Sequence, residues 1–181
     1  MIMNIKIGIS GIPGSGKTQA LLEIIKMIEA EGVVVGGMLS IPIIEDGKRS
    51  GFYVENWTSK EKAVFAHINL TDSKIKYERY GVDLSALEKV GIPAIEYALE
   101  RSDLIVIDEV GKIELESEPF IEVVKRVIES DKPTILTLHK KSRNPLLQEI
   151  RRKDDIRILE VTPINIKILP FKVIKLLNGE H

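Results

Sequence analysis

The sequence predicts an α/β fold: a mostly parallel central sheet, helices on both faces, and an antiparallel meander inserted at about residues 40–80. Three observations carry that expectation. Short β-branched runs alternate with helical stripes across short links, the pattern that builds parallel sheets from strand–helix–strand units. A glycine-rich loop, GIPGSGKT at 11–18, joins the first strand to the first helix. Four short runs separated by EDGK, TSKE and TDSK break the alternation in between, as hairpins do.

The elements follow in order. Residues 3–9 are short and β-branched and are closed by Ser10-Gly11, which marks a buried strand. Over 17–31 the apolar residues Ala20, Leu21, Ile24, Ile25 and Ile28 recur at three and four, forming one helical face that Gly32 ends. Val33, Val34 and Val35 open the next strand, and the meander supplies runs at 41–44, 51–57, 63–69 and 74–80. Helical patterning returns at 83–90 and 93–101. The string LIVI at 104–107 has no polar face, so it belongs to a central strand covered on both sides. Ser117 offers a cap for a helix through Ser130, with Phe120, Val123, Val124, Val127 and Ile128 turned inward. A buried strand at 134–138, a helix at 144–153, a strand at 156–161 and a final helix at 163–177, bent near Pro170, complete the chain. No internal repeat or linker interrupts the pattern, so 1–181 reads as one domain.

Composition narrows the function. A chain of 181 residues suits a single core, and 44% hydrophobic with 29% charged residues excludes a disordered or fibrous protein. A net charge of -1 provides no basic field, so nucleic acid is not an expected partner. The absence of cysteine rules out disulfides, thiolate metal sites and cysteine nucleophiles. No apolar run reaches the roughly 18 residues that span a bilayer, and the first ten residues lead directly into the glycine loop. The expectation is a cytoplasmic protein with no membrane partner. Abundant Lys, Glu and Ile with only two glutamines lean towards a thermophilic source.

The loop carries the first chemistry. Gly11, Gly14, Gly16, Lys17 and Thr18 satisfy G-x-x-x-x-G-K-[ST], with Ile12, Pro13 and Ser15 between them. Glycine lets the backbone approach an anion, and the helix starting at Lys17 directs its positive end there. Lys17 is expected on the β- and γ-phosphate oxygens and Thr18 on Mg²⁺. A plain glycine turn would leave the adjacent Lys and Thr unexplained. A second metal ligand is expected where an apolar strand ends, and Asp108 stands there in LIVIDEVGKIEL. Glu109 is then free to orient and deprotonate an attacking water. The alternative is an acidic pair that only solvates a strand end.

GIPGSGKT, DEVGKIELES and their spacing resemble the small nucleoside-triphosphatase family of thermophiles that includes the human cancer-related nucleoside-triphosphatase. The likeness covers essentially the whole chain, and DE-x-G-x-x-E-L is its more specific mark. It implies a RecA-like P-loop domain and slow, Mg²⁺-dependent hydrolysis of ATP, GTP, CTP and UTP to the diphosphates. By position it implies a triphosphate on residues 11–18 and a second nucleotide-facing segment formed by Leu104, Ile105, Val106, Ile107, Asp108, Glu109, Val110 and Gly111. The chain departs from the family at Val110 and Ile113, where isoleucine and methionine are usual. It departs again in MLSIPIIEDG after Gly37, although Lys48-Arg49-Ser50-Gly51-Phe52 recovers the pattern. Asn165-Ile166 stands in place of an asparagine–arginine pair, with a cation only at Lys167.

Other residues admit two roles. His139, with Lys140 and Arg143, either senses the γ-phosphate or lies in a wet loop. Arg49, Arg79, Arg101, Arg143 and Lys112 are candidate charge-stabilising fingers, as is a group from an activating partner. Trp57, Phe52, Tyr53, Tyr77 and Tyr80 either stack a base or pack an edge. His67 reads as structural and His181 as terminal. The basic cluster Lys140, Lys141, Arg143, Arg151, Arg152 and Lys153, beside Asp154 and Asp155, reads as a solvated helix face. RRKDDIR at 151–157 also resembles the lid of nucleoside monophosphate kinases, which keeps a nucleotide or small-molecule kinase as the rival activity. A GTP-dependent switch is the other rival: Asp108-Glu109-Val110-Gly111 fits D-x-x-G, but no [NT]-K-x-D string reads guanine. A monomer or weak oligomer acting on nucleoside triphosphates is the expectation.

Overall fold

In a computed structural model, residues 2–180 are described; His181 lies outside them. The strands are β1 (Lys6–Gly11), β2 (Val35–Glu45), β3 (Lys48–Asn56), β4 (Lys62–His67), β5 (Ile75–Tyr77), β6 (Tyr80–Val82), β7 (Leu104–Val110), β8 (Thr134–His139) and β9 (Ile156–Glu160). They form one sheet in the order β5-β6-β4-β3-β2-β7-β8-β1-β9. The pairs β2/β7, β7/β8, β8/β1 and β1/β9 are parallel, whereas β2/β3, β3/β4, β4/β6 and β6/β5 are antiparallel.

The sheet is covered on both faces because its central strands are apolar on both faces. In β7, Ile105 and Ile107 join one core and Leu104 and Val106 the other. The first core is closed by Leu87, by Ile95 of α3 (Ile92–Arg101), by Phe120 and Val124 of α4 (Glu118–Glu129) and by Leu147 of α5 (Pro145–Arg152). The second is closed by Leu21 and Ile24 of α1 (Lys17–Ala30) and by Val173 and Leu177 of α6 (Leu169–Leu177). Each such side chain contributes about 1.5–3 kcal/mol by leaving water. Phe120, fully buried, is the most sensitive of them, since an aromatic-to-alanine change in a core costs about 3–5 kcal/mol.

Four boundaries differ from the sequence expectation, each for a physical reason. Residues 33–44 contain one long strand rather than two, because β2 exchanges its partner instead of turning: Val35–Met38 pair with β7, and Met38 onward with β3. The run 74–80 splits into the hairpin β5–β6 at Glu78, whose φ of 52° is a turn conformation. The two helices at 83–101 are continuous: the single turn α2 (Leu84–Ala86) passes through a π-helical segment, Leu87–Gly91, into α3. That wider turn accommodates Pro93, which cannot donate to the preceding carbonyls. Finally, 163–168 are turns, and Pro170 lies in the first turn of α6, opening the helix rather than bending it. The cap at Ser117 holds: its Oγ accepts from the Phe120 amide at 3.2 Å.

The parallel registers set the site. Gly11 lies opposite His139, and Val110 opposite Leu138, so β1, β7 and β8 end together on one edge of the sheet. Among the described residues no helix is long and apolar enough to cross a membrane.

Candidate functional site

The glycine loop occupies the link from β1 to α1. Gly14 and Gly16 have φ of 78° and 96°, a region that favours glycine. Gly16 caps α1 with no side-chain hydrogen bond, which leaves the first-turn amides of a 14-residue helix without a side-chain acceptor. Lys17 folds back over the loop. Its buried Nζ donates to the Gly11 carbonyl at 2.7 Å and lies 3.5 Å from Glu109 Oε2.

Asp108 stands where β7 loses register with β8, between Ile107 and Val110. Such an irregularity re-aims side chains at a strand end. The carboxylate is fully buried and receives two hydroxyls: Thr18 Oγ1 donates to Oδ2 at 2.8 Å, and Thr137 Oγ1 to Oδ1 at 2.6 Å. Burial pushes Asp108 up to about 6; the neighbouring Glu109 adds to the rise, while the Thr137 and Thr18 hydroxyls and the Ser40 backbone oppose it. A hydroxyl and a buried carboxylate facing each other at this distance suit a hard divalent cation that keeps most of its ligands as water and phosphate. Among the described residues no group of three or more His, Asp or Glu could hold an ion by itself, so any such cation depends on a second source of oxygens.

Glu109 points into the same space with a quarter of its side chain exposed. Burial raises its carboxyl, and the Lys17 ammonium holds it back. Beyond it the chain turns through Gly111, where an added methyl would come within 2.7 Å of Glu114 Oε1 and 2.9 Å of Glu109 Oε2. Both carboxyls therefore close on this position, and any larger residue would have to push them aside. Glu114 is buried and pushed well above the ordinary carboxylate range, first by burial and then by Glu109.

A cleft of about 420 Å³ unites these groups. Pro13, Gly14, Ser15, Gly16, Lys17, Thr18, Asp108 and Glu109 line it, together with Lys112, Glu114 and His139. Of the expected nucleotide-facing segment, Leu104, Ile105, Val106, Ile107 and Val110 are core residues with no exposure, and none of them lines the cleft. They face outward from the strand into the two cores because β7 is central. Gly11 and Ile12 also stay off the lining; the Gly11 carbonyl reaches the site by holding Lys17.

The remaining candidates separate by contact. Arg49 and Lys112 line the cleft, whereas Arg79, Arg101 and Arg143 do not. Arg79 instead donates to the Arg49 carbonyl at 2.5 Å. His139 lines the cleft and is shifted down, by burial first and then by Lys17, so it is neutral at pH 7. RRKDDIR does not form a lid. Arg151 spends its guanidinium on the carbonyls of His139, Lys140 and Ser142, at 2.5, 2.9 and 3.0 Å, and so pins the loop after β8. Trp57 donates to Glu29 at 3.2 Å beneath the Lys60 ammonium, away from the cleft. His67 bridges Glu45 at 2.9 Å and accepts from the Asn69 amide at 3.0 Å, a structural role. Phe52 and Tyr77 line the cleft, while Tyr53 and Tyr80 do not.

Thr137 escaped the sequence, where it reads as one more β-branched residue of a buried strand. Glu114 is the second glutamate of the DE-x-G-x-x-E-L string, which marks the position without assigning the side chain a role.

A family described as NTPase matches residues 6–174. Nucleoside-triphosphatase THEP1 of Thermoplasma volcanium is 43% identical over 179 residues, covering 99% of this chain and all of that protein. The crystal structure of THEP1 from Aquifex aeolicus superposes with a TM-score of 0.82 at 31% identity, covering 96% of this chain and 99% of that one. The solution structure of a human cancer-related nucleoside triphosphatase superposes with a TM-score of 0.80 at 26% identity, covering 98% of this chain and 99% of that one.

Proposed function

The chain belongs to this NTPase family, and we propose that it hydrolyses nucleoside 5′-triphosphates to the diphosphate and inorganic phosphate, with Mg²⁺ as cofactor. One observation supports the reading most: Lys17, Thr18, Asp108 and Glu109, drawn from two strand ends, meet with Thr18 2.8 Å from Asp108 and Lys17 3.5 Å from Glu109.

Lys17 and the open amides of the loop hold the phosphate oxygens. Ser15 Oγ is buried without a hydrogen-bond partner; a phosphate oxygen is the acceptor it lacks once the side chain rotates. Thr18 and Asp108 would hold the magnesium, which when bound neutralises charge on the terminal phosphates. Glu109 accepts a proton from water as the water oxygen bonds to the terminal phosphorus and the bond to the bridging oxygen breaks. Its raised proton affinity suits that role, because a base must hold the proton it takes. No [NT]-K-x-D string reads guanine, so ATP, GTP, CTP and UTP are all substrates. Turnover is slow without an activating partner, since Arg49 and Lys112, the cleft's cations besides Lys17, are exposed. The protein acts in the cytoplasm as one domain, monomeric or weakly associated.

Phosphate release from the four triphosphates, with and without magnesium, tests this. Glu109→Gln should still bind nucleotide and lose turnover by about a hundredfold or more. Lys17→Ala should lose affinity as well. A Glu109→Gln protein that hydrolyses ATP at the parent rate removes the general base from position 109.

A further inference from the structure

Hydrolysis needs room for phosphates, a cation and one water molecule, yet the cleft continues beyond them. Its far wall is built by the meander, from Phe52 of β3, Phe65 of β4 and Tyr77 of β5, with Ile113 from the turn after β7. These surfaces are apolar and largely aromatic, and no triphosphate oxygen gains by contact with them. Phe52 and Tyr80 pack edge to face at 5.6 Å between ring centroids, and the Arg49 guanidinium lies 5.1 Å from the Phe52 centroid. Glu114 stands in the same lining. Burial and the neighbouring Glu109 favour the protonated form of this carboxyl, which can donate one hydrogen bond and accept another. The whole cleft, phosphate end included, measures about 420 Å³, and its far end, with apolar walls and a few convergent polar groups, has the character of a small-molecule site.

The recess lies on the β2 side of the glycine loop. A second molecule in the recess requires the nucleobase to lie elsewhere, and the β9 side of the glycine loop offers an apolar surface for it. There the loop after β9 packs Ile166 against Gly16, and Ile164 is 94% exposed.

We propose that the recess binds a planar aromatic or heteroaromatic alcohol, whose hydroxyl takes the terminal phosphoryl group in place of water. The proposal rests on the nucleotide site and the role of Glu109 given above, and makes hydrolysis the reaction of an empty recess. The ring lies between Phe52, Phe65 and Tyr77, and Glu114 pairs with a ring heteroatom. Glu109 takes the alcohol proton while the alcohol oxygen bonds to the terminal phosphorus and the bond to the bridging oxygen breaks. The products are a phosphate monoester, the nucleoside diphosphate and a proton that Glu109 returns to solvent. No redox step is involved.

The test uses the full chain with benzyl alcohol, 3-(hydroxymethyl)pyridine and 5-(hydroxymethyl)pyrimidine as probes. Ligand-observed NMR should show at least one probe bound, and still bound with a non-hydrolysable ATP analogue at saturation. With magnesium and ATP, ³¹P NMR should then show a phosphate monoester, while inorganic phosphate falls in proportion. In Tyr77→Ala, and independently in Phe52→Ala, the ratio of ester to inorganic phosphate should fall about tenfold, a readout that does not depend on total turnover or on the folded fraction. Three results overturn the proposal: none of the probes binds, the analogue displaces the bound probe, or ADP forms beside a bound probe with no ester. Each leaves the hydrolase standing. A parent protein that fails to hydrolyse ATP counts against the hydrolase instead.

Discussion

Asp108→Asn isolates the cost of keeping a charge where the metal is expected. The carboxylate has no exposure and its affinity for a proton rises from 3.8 to about 6. Two units of pKa correspond to about 3 kcal/mol between the charged and neutral forms. The folded chain holds this proton more tightly than the unfolded one, so the ionised group lowers stability in full above pH 6. That loss fades as the pH falls from 6 and is gone below 3.8, where both states are protonated. Asparagine never ionises, its oxygen can still accept from Thr137, and its amide can donate to Thr18. In urea unfolding of the nucleotide-free, magnesium-free protein at pH 7.5, the variant should therefore gain about 2–3 kcal/mol. For a chain of this length, that amounts to a rise of about 4–12 °C in Tm. Below pH 3.8 the gain should vanish. Magnesium-dependent turnover should be lost at every pH, so stability rises as activity disappears. A variant less stable than the parent at pH 7.5, or a difference that does not change with pH, refutes the reasoning.

Three further substitutions bear on the same centre. Thr137→Val removes the hydroxyl that donates to Asp108 at 2.6 Å, so the carboxyl should rise further and the acid limb of the rate–pH profile should move up by about one unit; an unmoved limb would show that Thr137 does not hold the charge. Gly111→Ala places a methyl within 2.9 Å of both Glu109 and Glu114, and should cut turnover by at least about tenfold while changing nucleotide affinity little, because only the base is displaced. Unchanged turnover would mean that the two carboxyls do not act from that geometry. Ser117→Ala loses both the cap on Phe120 and the donation to Glu88 at 2.9 Å. It should cost about 1 kcal/mol in urea unfolding, with turnover per folded molecule unchanged; a loss of turnover at equal folded fraction would extend the site to α4.

The features legible in the sequence were those whose chemistry is local. A phosphate loop needs glycine, lysine and threonine at fixed offsets, so Gly11–Thr18 could be recognised without knowing what packs against them. LIVI announces a two-sided strand by its lack of any polar residue, and β7 has both faces buried. What remained hidden depends on distant partners. The length of β2 is decided by β3, which takes up its backbone where β7 ends. Arg151 looks like a lid residue until the carbonyls after β8 claim its guanidinium. Glu114 falls within the DE-x-G-x-x-E-L string, but its burial, that of a core residue, appears only in the folded turn around Gly111. Proline at 170 was read by its usual effect inside a helix, yet where the helix begins is itself a tertiary fact.

The site draws on two halves of the sheet that differ in character. The phosphate loop and Asp108 belong to the parallel half, where register fixes strand ends against one another. The aromatic wall belongs to the antiparallel extension, which within the sheet is joined to the parallel half through β2 alone. Ser40 lies two residues past the point where β2 changes partners, and its backbone favours the charged form of the Asp108 carboxylate. The extension is therefore joined to the phosphate site at the very side chain whose charge the metal would balance. A shift of β2 by one residue would turn every meander side chain to the opposite face and remove the Ser40 contact at the same time. The wall of the recess and the charge state of Asp108 consequently depend on one strand register, which is why an insertion so far from the glycine loop in sequence belongs to the same chemical unit.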